Sequence, residues 1–182
     1  MKPIKVNEIF YSIQGESSLV GLPTIFIRLT GCPMRCSYCD TSYAFTEGEN
    51  MSIDKIIREI SKFKTRYITV TGGEPLAQKG CWDLLKALCD KDYYVSLETG
   101  GGLSIDDIDT RVKIILDIKT PNSGESENNL WENLLLIKSS DEIKFVIESY
   151  EDYEWSKNLI INKSLFSKAS IIFSPVYKKL QP

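Results

Sequence analysis

Six short apolar runs, at residues 24–29, 67–70, 94–97, 112–118, 142–147 and 169–173, are separated for the most part by stretches with apolar residues at helical spacing. That alternation limits the fold more than any other feature of the chain. Strands joined through helices need crossover connections, which are right-handed and give parallel pairing. The pattern therefore predicts an α/β fold of six mostly parallel strands with helices on the outside, as a partial (β/α)6 barrel or open sheet. Thr24-Ile25-Phe26-Ile27-Arg28-Leu29 is too apolar for a one-sided strand and reads as buried. Residues 4–11 alternate well enough for an edge strand or β-extension, before Ser12-Ile13-Gln14-Gly15-Glu16 breaks the pattern. Helices are expected from Ser52, an N-cap ahead of Ile53, Ile56, Ile57, Ile60 and Phe63, and over 80–90, 130–138 and 151–163, with a helical turn at 105–108. A chain of 182 residues suits a single domain, 1–182.

Three of the five cysteines stand at Cys32-x3-Cys36-x2-Cys39, directly after the first run. Thiolates are soft ligands for iron-sulfur clusters or zinc, and Gly31 and Pro33 help keep helix and strand out of the loop. Three sulfurs are one short of a closed four-ligand site, and the chain has no histidine to complete it. A metal position open to a substrate is the favoured reading. Cys81 and Cys89, eight residues apart on a predicted helix, read as small buried hydrophobes.

Other strand ends carry Thr71-Gly72-Gly73-Glu74-Pro75, Glu98-Thr99-Gly100, Lys119-Thr120-Pro121-Asn122 and Ser174-Pro175. Each alone is ordinary turn chemistry. In parallel β/α folds, however, the loops leaving strand carboxyl ends gather on one face, and their shared placement predicts a polar ligand rim beside the cysteines. The polar loop 122–129 is expected to be mobile.

No apolar run reaches the roughly 18 residues of a membrane span, and the N-terminus lacks the apolar core of a signal peptide. A net charge of −3 leaves no footprint for nucleic acid. The basic run 55–66 is interleaved with isoleucines at helical spacing and reads as a solvated helix face. An odd number of cysteines is a poor disulfide framework and suits a reducing compartment, so a cytoplasmic protein with no membrane or nucleic-acid partner is expected.

The cysteine motif followed by Gly72-Gly73-Glu74-Pro75 resembles the radical S-adenosylmethionine superfamily. A narrower set, Ser12-Ile13-Gln14-Gly15-Glu16, 26–32, Cys39-Asp40-Thr41, 71–76, Glu98-Thr99-Gly100 and 117–121, resembles the 7-carboxy-7-deazaguanine synthase family over residues 5–182. The resemblance implies a barrel of the radical S-adenosylmethionine type. The activity it implies is a lyase reaction of queuosine biosynthesis: ring contraction of 6-carboxy-5,6,7,8-tetrahydropterin to 7-carboxy-7-deazaguanine with loss of ammonia. A 4Fe-4S cluster, S-adenosylmethionine and magnesium are the implied cofactors, flavodoxin or ferredoxin the implied reductant, and a homodimer the implied assembly.

Carried over by residue, Cys32, Cys36 and Cys39 would hold the cluster and Thr41 the magnesium. Tyr38, Asp40, Gly73, Glu74, Glu98, Thr120, Pro121, Asn122, Ser174 and Pro175 would meet S-adenosylmethionine. Ile13, Gln14, Gly15, Glu16, Arg28 and Thr71 would meet the pterin, with Arg28 as a carboxylate fork. The local alternatives are an Arg28 paired to a nearby acid and a Thr41 that caps a turn. The family usually continues past the stretch matching 173–182 into a helix and strand that close on the pterin, a segment absent from this sequence. Two other functions compete: a glycyl-radical activase with the same cluster spacing, and a non-catalytic zinc module using Cys32, Cys36, Cys39 and Asp40.

Overall fold

Ile25, Ile27 and Leu29 expose none of their surface, and the strand they lie on is the axis of the first of two compact units. The structure, a computed structural model, describes residues 3–180, so the ends of the domain expected at 1–182 lie outside the described residues. The first unit comprises residues up to 33, 41–99 and 107–113; the second comprises 34–40, 100–106 and 114 onward.

The first unit holds β1 (Ile4–Ile13), β2 (Pro23–Leu29), β3 (Glu49–Met51), α1 (Ile53–Ile60), β4 (Tyr67–Gly72), α2 (Cys81–Cys89) and β5 (Tyr94–Thr99). The strand order is β3-β1-β2-β4-β5, with β1 antiparallel to both its neighbours and β2, β4 and β5 parallel. The expected edge strand at 4–11 thus runs on to Ile13 and is covered on both sides. The outer strand β3 is three residues long, two of them exposed, and has no apolar pattern by which to find it.

Ser52 caps α1 by accepting the Lys55 N–H at 3.2 Å. Ile56 and Ile60 are fully buried, each burial contributing roughly 1.5–3 kcal/mol. The helix stops at Ile60, so Phe63 lies beyond it. In α2, Cys81, Leu84, Leu85, Leu88 and Cys89 form the buried stripe, as the spacing predicts for both cysteines.

The second unit holds β6 (Lys113–Ile118, from Ile114 onward), α3 (Asn133–Leu136), β7 (Glu142–Ile147), α4 (Tyr150–Asn162) and β8 (Ser170–Pro175), with β6, β7 and β8 parallel. Together with β2, β4 and β5 these are the six runs expected as parallel strands, in a mixed α/β, mostly parallel fold. Three local expectations are corrected. Residues 105–108 hold a turn at Asp106-Asp107 and no helix. The helix expected over 130–138 is the single turn α3, because Leu135 and Leu136 are exposed and have no core to line. The polar stretch 122–129 is folded into 3-10 turns, Pro121–Ser123 and Ser126–Asn128. It is tied down by buried Asn129, which accepts the Lys119 N–H and donates to the Lys119 carbonyl, both at 2.9 Å. Among the described residues no helix is long and apolar enough to cross a membrane.

Candidate active site

In the first unit the Gly-Gly-Glu turn is sewn to the residues that lead into the cysteine loop. Gly73 N–H donates to the Leu29 carbonyl at 3.1 Å and Glu74 N–H to the Gly31 carbonyl at 2.7 Å. A Cβ on Gly73 would stand 2.2 Å from the Gly31 oxygen and 3.0 Å from Cys32 Cβ, so only glycine allows this approach. The Glu74 side chain is turned into the interior. It is fully buried, accepts the Leu76 N–H at 3.0 Å to cap the 3-10 turn Pro75–Ala77, and has the Thr99 hydroxyl 2.9 and 3.0 Å from its two oxygens.

Thr71 Oγ1 donates to Glu98 Oε2 at 2.8 Å, joining two expected ligand residues at neighbouring strand ends. Gln14 is turned inward: its Nε2 donates to Thr69 Oγ1 at 3.1 Å, within 2.9 Å of which lies Ser96 Oγ, and its Oε1 accepts the Glu16 N–H at 3.2 Å. Ile13 is exposed, and nothing stands within 4 Å of a Cβ built on Gly15. The side chain of Gln14 thus holds the loop, while its neighbours present open surface.

Arg28 has the nearby acid that one reading of it expects. Its Nε donates to Glu8 Oε1 at 2.8 Å, the local acid partner. The same oxygen accepts the Tyr43 hydroxyl at 2.9 Å. The guanidinium carbon lies 5.6 Å from the Phe10 ring centroid and 5.8 Å from that of Tyr43, within cation–π range. Nη1 and Nη2 make no hydrogen bond among the described residues. Thr41 occupies the N-cap position of the 3-10 turn Ser42–Phe45, where its side chain makes no capping bond and its carbonyl accepts the Ala44 N–H at 2.9 Å.

In the second unit the rest of the cysteine loop is pinned to the turn after β6. Arg35 N–H donates to Glu125 Oε1 at 2.6 Å, Ser37 N–H to the Ser123 carbonyl at 3.0 Å and Ser37 Oγ to the Asn122 carbonyl at 2.7 Å. Asn122 in turn donates through Nδ2 to Ser149 Oγ at 2.9 Å. Thr120 is fully buried, with Oγ1 donating to the Val146 carbonyl at 3.0 Å. Ser174 and Pro175 pair in register with Val146 and Ile147, while Pro121, Asn122, Asp40 and Pro175 are exposed.

Sequence reasoning missed the charged centre of this unit. Lys119 Nζ lies 2.9 Å from Asp117 Oδ2 and Lys144 Nζ 3.8 Å from it. Asp117 Oδ1 is buried and has no hydrogen-bond partner among the described residues. Burial opposes the charge on Lys119, but Asp117 and the Cys36 sulfur outweigh it and hold the ammonium above its ordinary range. Burial and the Asp117 charge push the Tyr38 phenol up to about 12, with Lys119 and Thr120 pulling the other way. Asp117 near the end of β6 and Lys119 just beyond it are two apart, a spacing that puts side chains of an extended segment on one face and a signal present in the sequence.

The donor chemistry, three thiols on one loop, is of the kind that holds an iron-sulfur cluster, although among the described residues no three Cys, Asp or Glu side chains are grouped closely enough to hold a metal ion. Cys32, Cys36 and Cys39 are free thiols, partly exposed, on a segment without helix or strand, whereas Cys81 and Cys89 are buried. The ammonium of Lys119 lies beside Cys36, where its positive charge compensates negative charge on the sulfur.

The sequence matches the radical SAM superfamily over residues 26–122. It is 48% identical over 183 residues to the 7-carboxy-7-deazaguanine synthase of Chlorobaculum tepidum, covering 99% of this chain and 83% of that one. It is 40% identical to the enzyme of the same name from Koribacter versatilis, covering 97% of this chain and 79% of that one. Its fold is similar to the crystal structure of QueE from Escherichia coli, with a TM-score of 0.80 at 22% identity over 97% of this chain and 86% of that one.

Proposed function

The chain belongs to the radical S-adenosylmethionine superfamily and, within it, to the 7-carboxy-7-deazaguanine synthases, and from that premise we propose how its residues divide the work. The enzyme is a carbon–nitrogen lyase that contracts the ring of 6-carboxy-5,6,7,8-tetrahydropterin to 7-carboxy-7-deazaguanine, expelling ammonia, in queuosine biosynthesis. A 4Fe-4S cluster, S-adenosylmethionine and magnesium, when bound, supply a 5′-deoxyadenosyl radical for hydrogen abstraction and a Lewis acid for the substrate.

The chain's own part is to bind and orient. Cys32, Cys36 and Cys39 hold the cluster, and Lys119 offsets thiolate charge at Cys36. The backbone at Gly73, with Tyr38, Asp40, Glu98, Thr120, Pro121, Asn122, Ser174 and Pro175, receives S-adenosylmethionine. Glu74 supports that role from beneath, through its cap and Thr99. Arg28 grips the pterin carboxylate through its Nη atoms, and Thr71, braced by Glu98, presents its side of the ring site. Ile13, Gly15 and Glu16 complete that site from the loop that Gln14 anchors. Thr41 gives magnesium a hard hydroxyl oxygen, a ligand type that ion accepts alongside several waters. An external one-electron donor of the flavodoxin or ferredoxin kind, a homodimer and a cytoplasmic location belong to the same proposal and rest on the family resemblance.

The contrast among the thiols carries this reading: three partly exposed in the strand-end segment, two buried in α2. The test is anaerobic reconstitution and turnover with carboxytetrahydropterin, reductant and S-adenosylmethionine, with Cys36→Ala as control. Deazaguanine product from the native chain alone supports the assignment; no product from a fully loaded native chain defeats it.

A further inference from the structure

A one-residue irregularity in β1 decides which side chain faces Arg28. Val6 pairs with Leu29, and a regular antiparallel ladder would then set Asn7 opposite Arg28. The register shifts between Val6 and Glu8, so that Glu8 takes that place. The displaced Asn7 donates instead to the Glu47 carbonyl at 3.1 Å. Bulges of this kind recur beside active sites, where they re-aim a side chain. Here the re-aimed carboxylate meets the Nε edge of the guanidinium at 2.8 Å and is itself held by the Tyr43 hydroxyl at 2.9 Å.

We propose that Glu8 and Tyr43 are positioning residues that make Arg28 selective for the 6-carboxylate of the pterin. The inference rests on the reading of Arg28 as the substrate's carboxylate fork and adds what orients it. A guanidinium can meet a carboxylate side-on, through Nε and one Nη, or end-on, through both Nη atoms. Glu8 occupies Nε and so removes the side-on approach, leaving the end-on fork. Phe10 and Tyr43, with ring centroids 5.6 and 5.8 Å from the guanidinium carbon, restrict its swing. Arg28 has a side-chain exposure of 16%, low enough for its direction to be set by these neighbours rather than by solvent. The negative charge of Glu8 also offsets that of Arg28, so that the pocket retains little attraction for anions that do not fit the fork.

The test uses reconstituted holoenzyme at fixed magnesium, with the non-reacting aromatic pair 6-carboxypterin and pterin as equilibrium probes and carboxytetrahydropterin for kinetics. Glu8→Ala is expected to raise KM by about tenfold with kcat within about twofold, and to reduce the preference for 6-carboxypterin over pterin by a similar factor. Glu8→Gln, which keeps an acceptor for Nε, should recover most of that preference. Tyr43→Phe, the removal of one hydroxyl from an exposed side chain, should show a smaller loss of the same kind and carries the test if Glu8→Ala does not fold. Equal weakening of both probes, or no change in KM and preference, overturns the proposal. Arg28→Ala separates the two levels. If it abolishes the preference while Glu8 and Tyr43 variants do not, the positioning role alone is wrong; if it leaves the preference intact, the underlying reading of Arg28 falls and the proposal with it.

Discussion

The Thr99 hydroxyl stands 2.9 and 3.0 Å from the two carboxylate oxygens of Glu74, and Glu74 exposes none of its surface. The acid of the Gly-Gly-Glu turn is therefore an internal strut. A hydrogen bond to a buried charged group contributes about 1.5–3 kcal/mol, so Thr99→Val should lower stability by roughly that amount. Urea unfolding of the metal-free chain measures it, and a loss well under 1 kcal/mol would mean that other contacts hold the carboxylate.

Gly73→Ala puts a methyl 2.2 Å from the Gly31 carbonyl oxygen, a backbone atom with no rotamer through which to escape. The turn or the start of the cysteine loop must move, at a cost of about 1–3 kcal/mol typical of overpacking. Reduced iron and sulfide content after anaerobic reconstitution, with secondary structure retained by circular dichroism, is the expected result.

Lys119→Met strands the Asp117 carboxylate, whose side chain is 14% exposed, beside a pair already short of a partner at Oδ1. Removing one member of such a pair costs about 3 kcal/mol or more, here moderated by Lys144 at 3.8 Å. In a double-mutant cycle, Asp117→Leu added to Lys119→Met should restore part of the loss, whereas simple additivity would deny the coupling.

Tyr38 gives the alkaline limb of stability a defined direction. Its phenol rises from the ordinary 10.0 to about 12 in the folded chain, first through burial and then through Asp117. The folded state therefore holds the proton more tightly than the unfolded state. That contribution is complete below about pH 10 and is lost as pH rises towards 12. Thermal melts of Tyr38→Phe should fall less steeply than those of the native chain across this window, and parallel curves would contradict the assignment.

The parallel strands were legible because burial on both faces writes itself as unbroken apolar runs, as in 24–29 and 112–118. What escaped notice had no such imprint. Glu49-Asn50-Met51 form a strand by pairing with Ile4-Lys5-Val6, a long-range partnership that their own composition does not announce. The leucines of 134–136 imitate a helical stripe but lie partly in solvent. The candidate site residues were legible as types at positions, whereas their orientation was not. Nothing in the residue types distinguishes a ligand carboxylate from one that also caps a turn, as the Glu74 side chain does at Pro75–Ala77. Glu8 could not be matched to Arg28 because a bulge moves the register by one, and bulges depend on contacts far along the chain.

Chemical labelling separates the two classes of cysteine. Native, metal-free protein treated with iodoacetamide should be modified at Cys32, Cys36 and Cys39, all partly exposed. It should be spared at Cys89, which is buried, and at Cys81, whose thiol burial and Glu74 hold well above its ordinary range. Peptide mass spectrometry reads the pattern. Modification of Cys81 at a rate comparable to Cys36 would contradict the division.

The central claim, a thiolate triad whose metal centre keeps one position for S-adenosylmethionine, is tested most directly by electron paramagnetic resonance of the anaerobically reconstituted and reduced protein. The account predicts about four iron atoms per chain, as for one 4Fe-4S cluster, and a spectrum that changes when S-adenosylmethionine is added, with both lost in Cys36→Ala. A cluster signal that the nucleoside leaves unaltered, or a colourless chain holding one zinc, would contradict it.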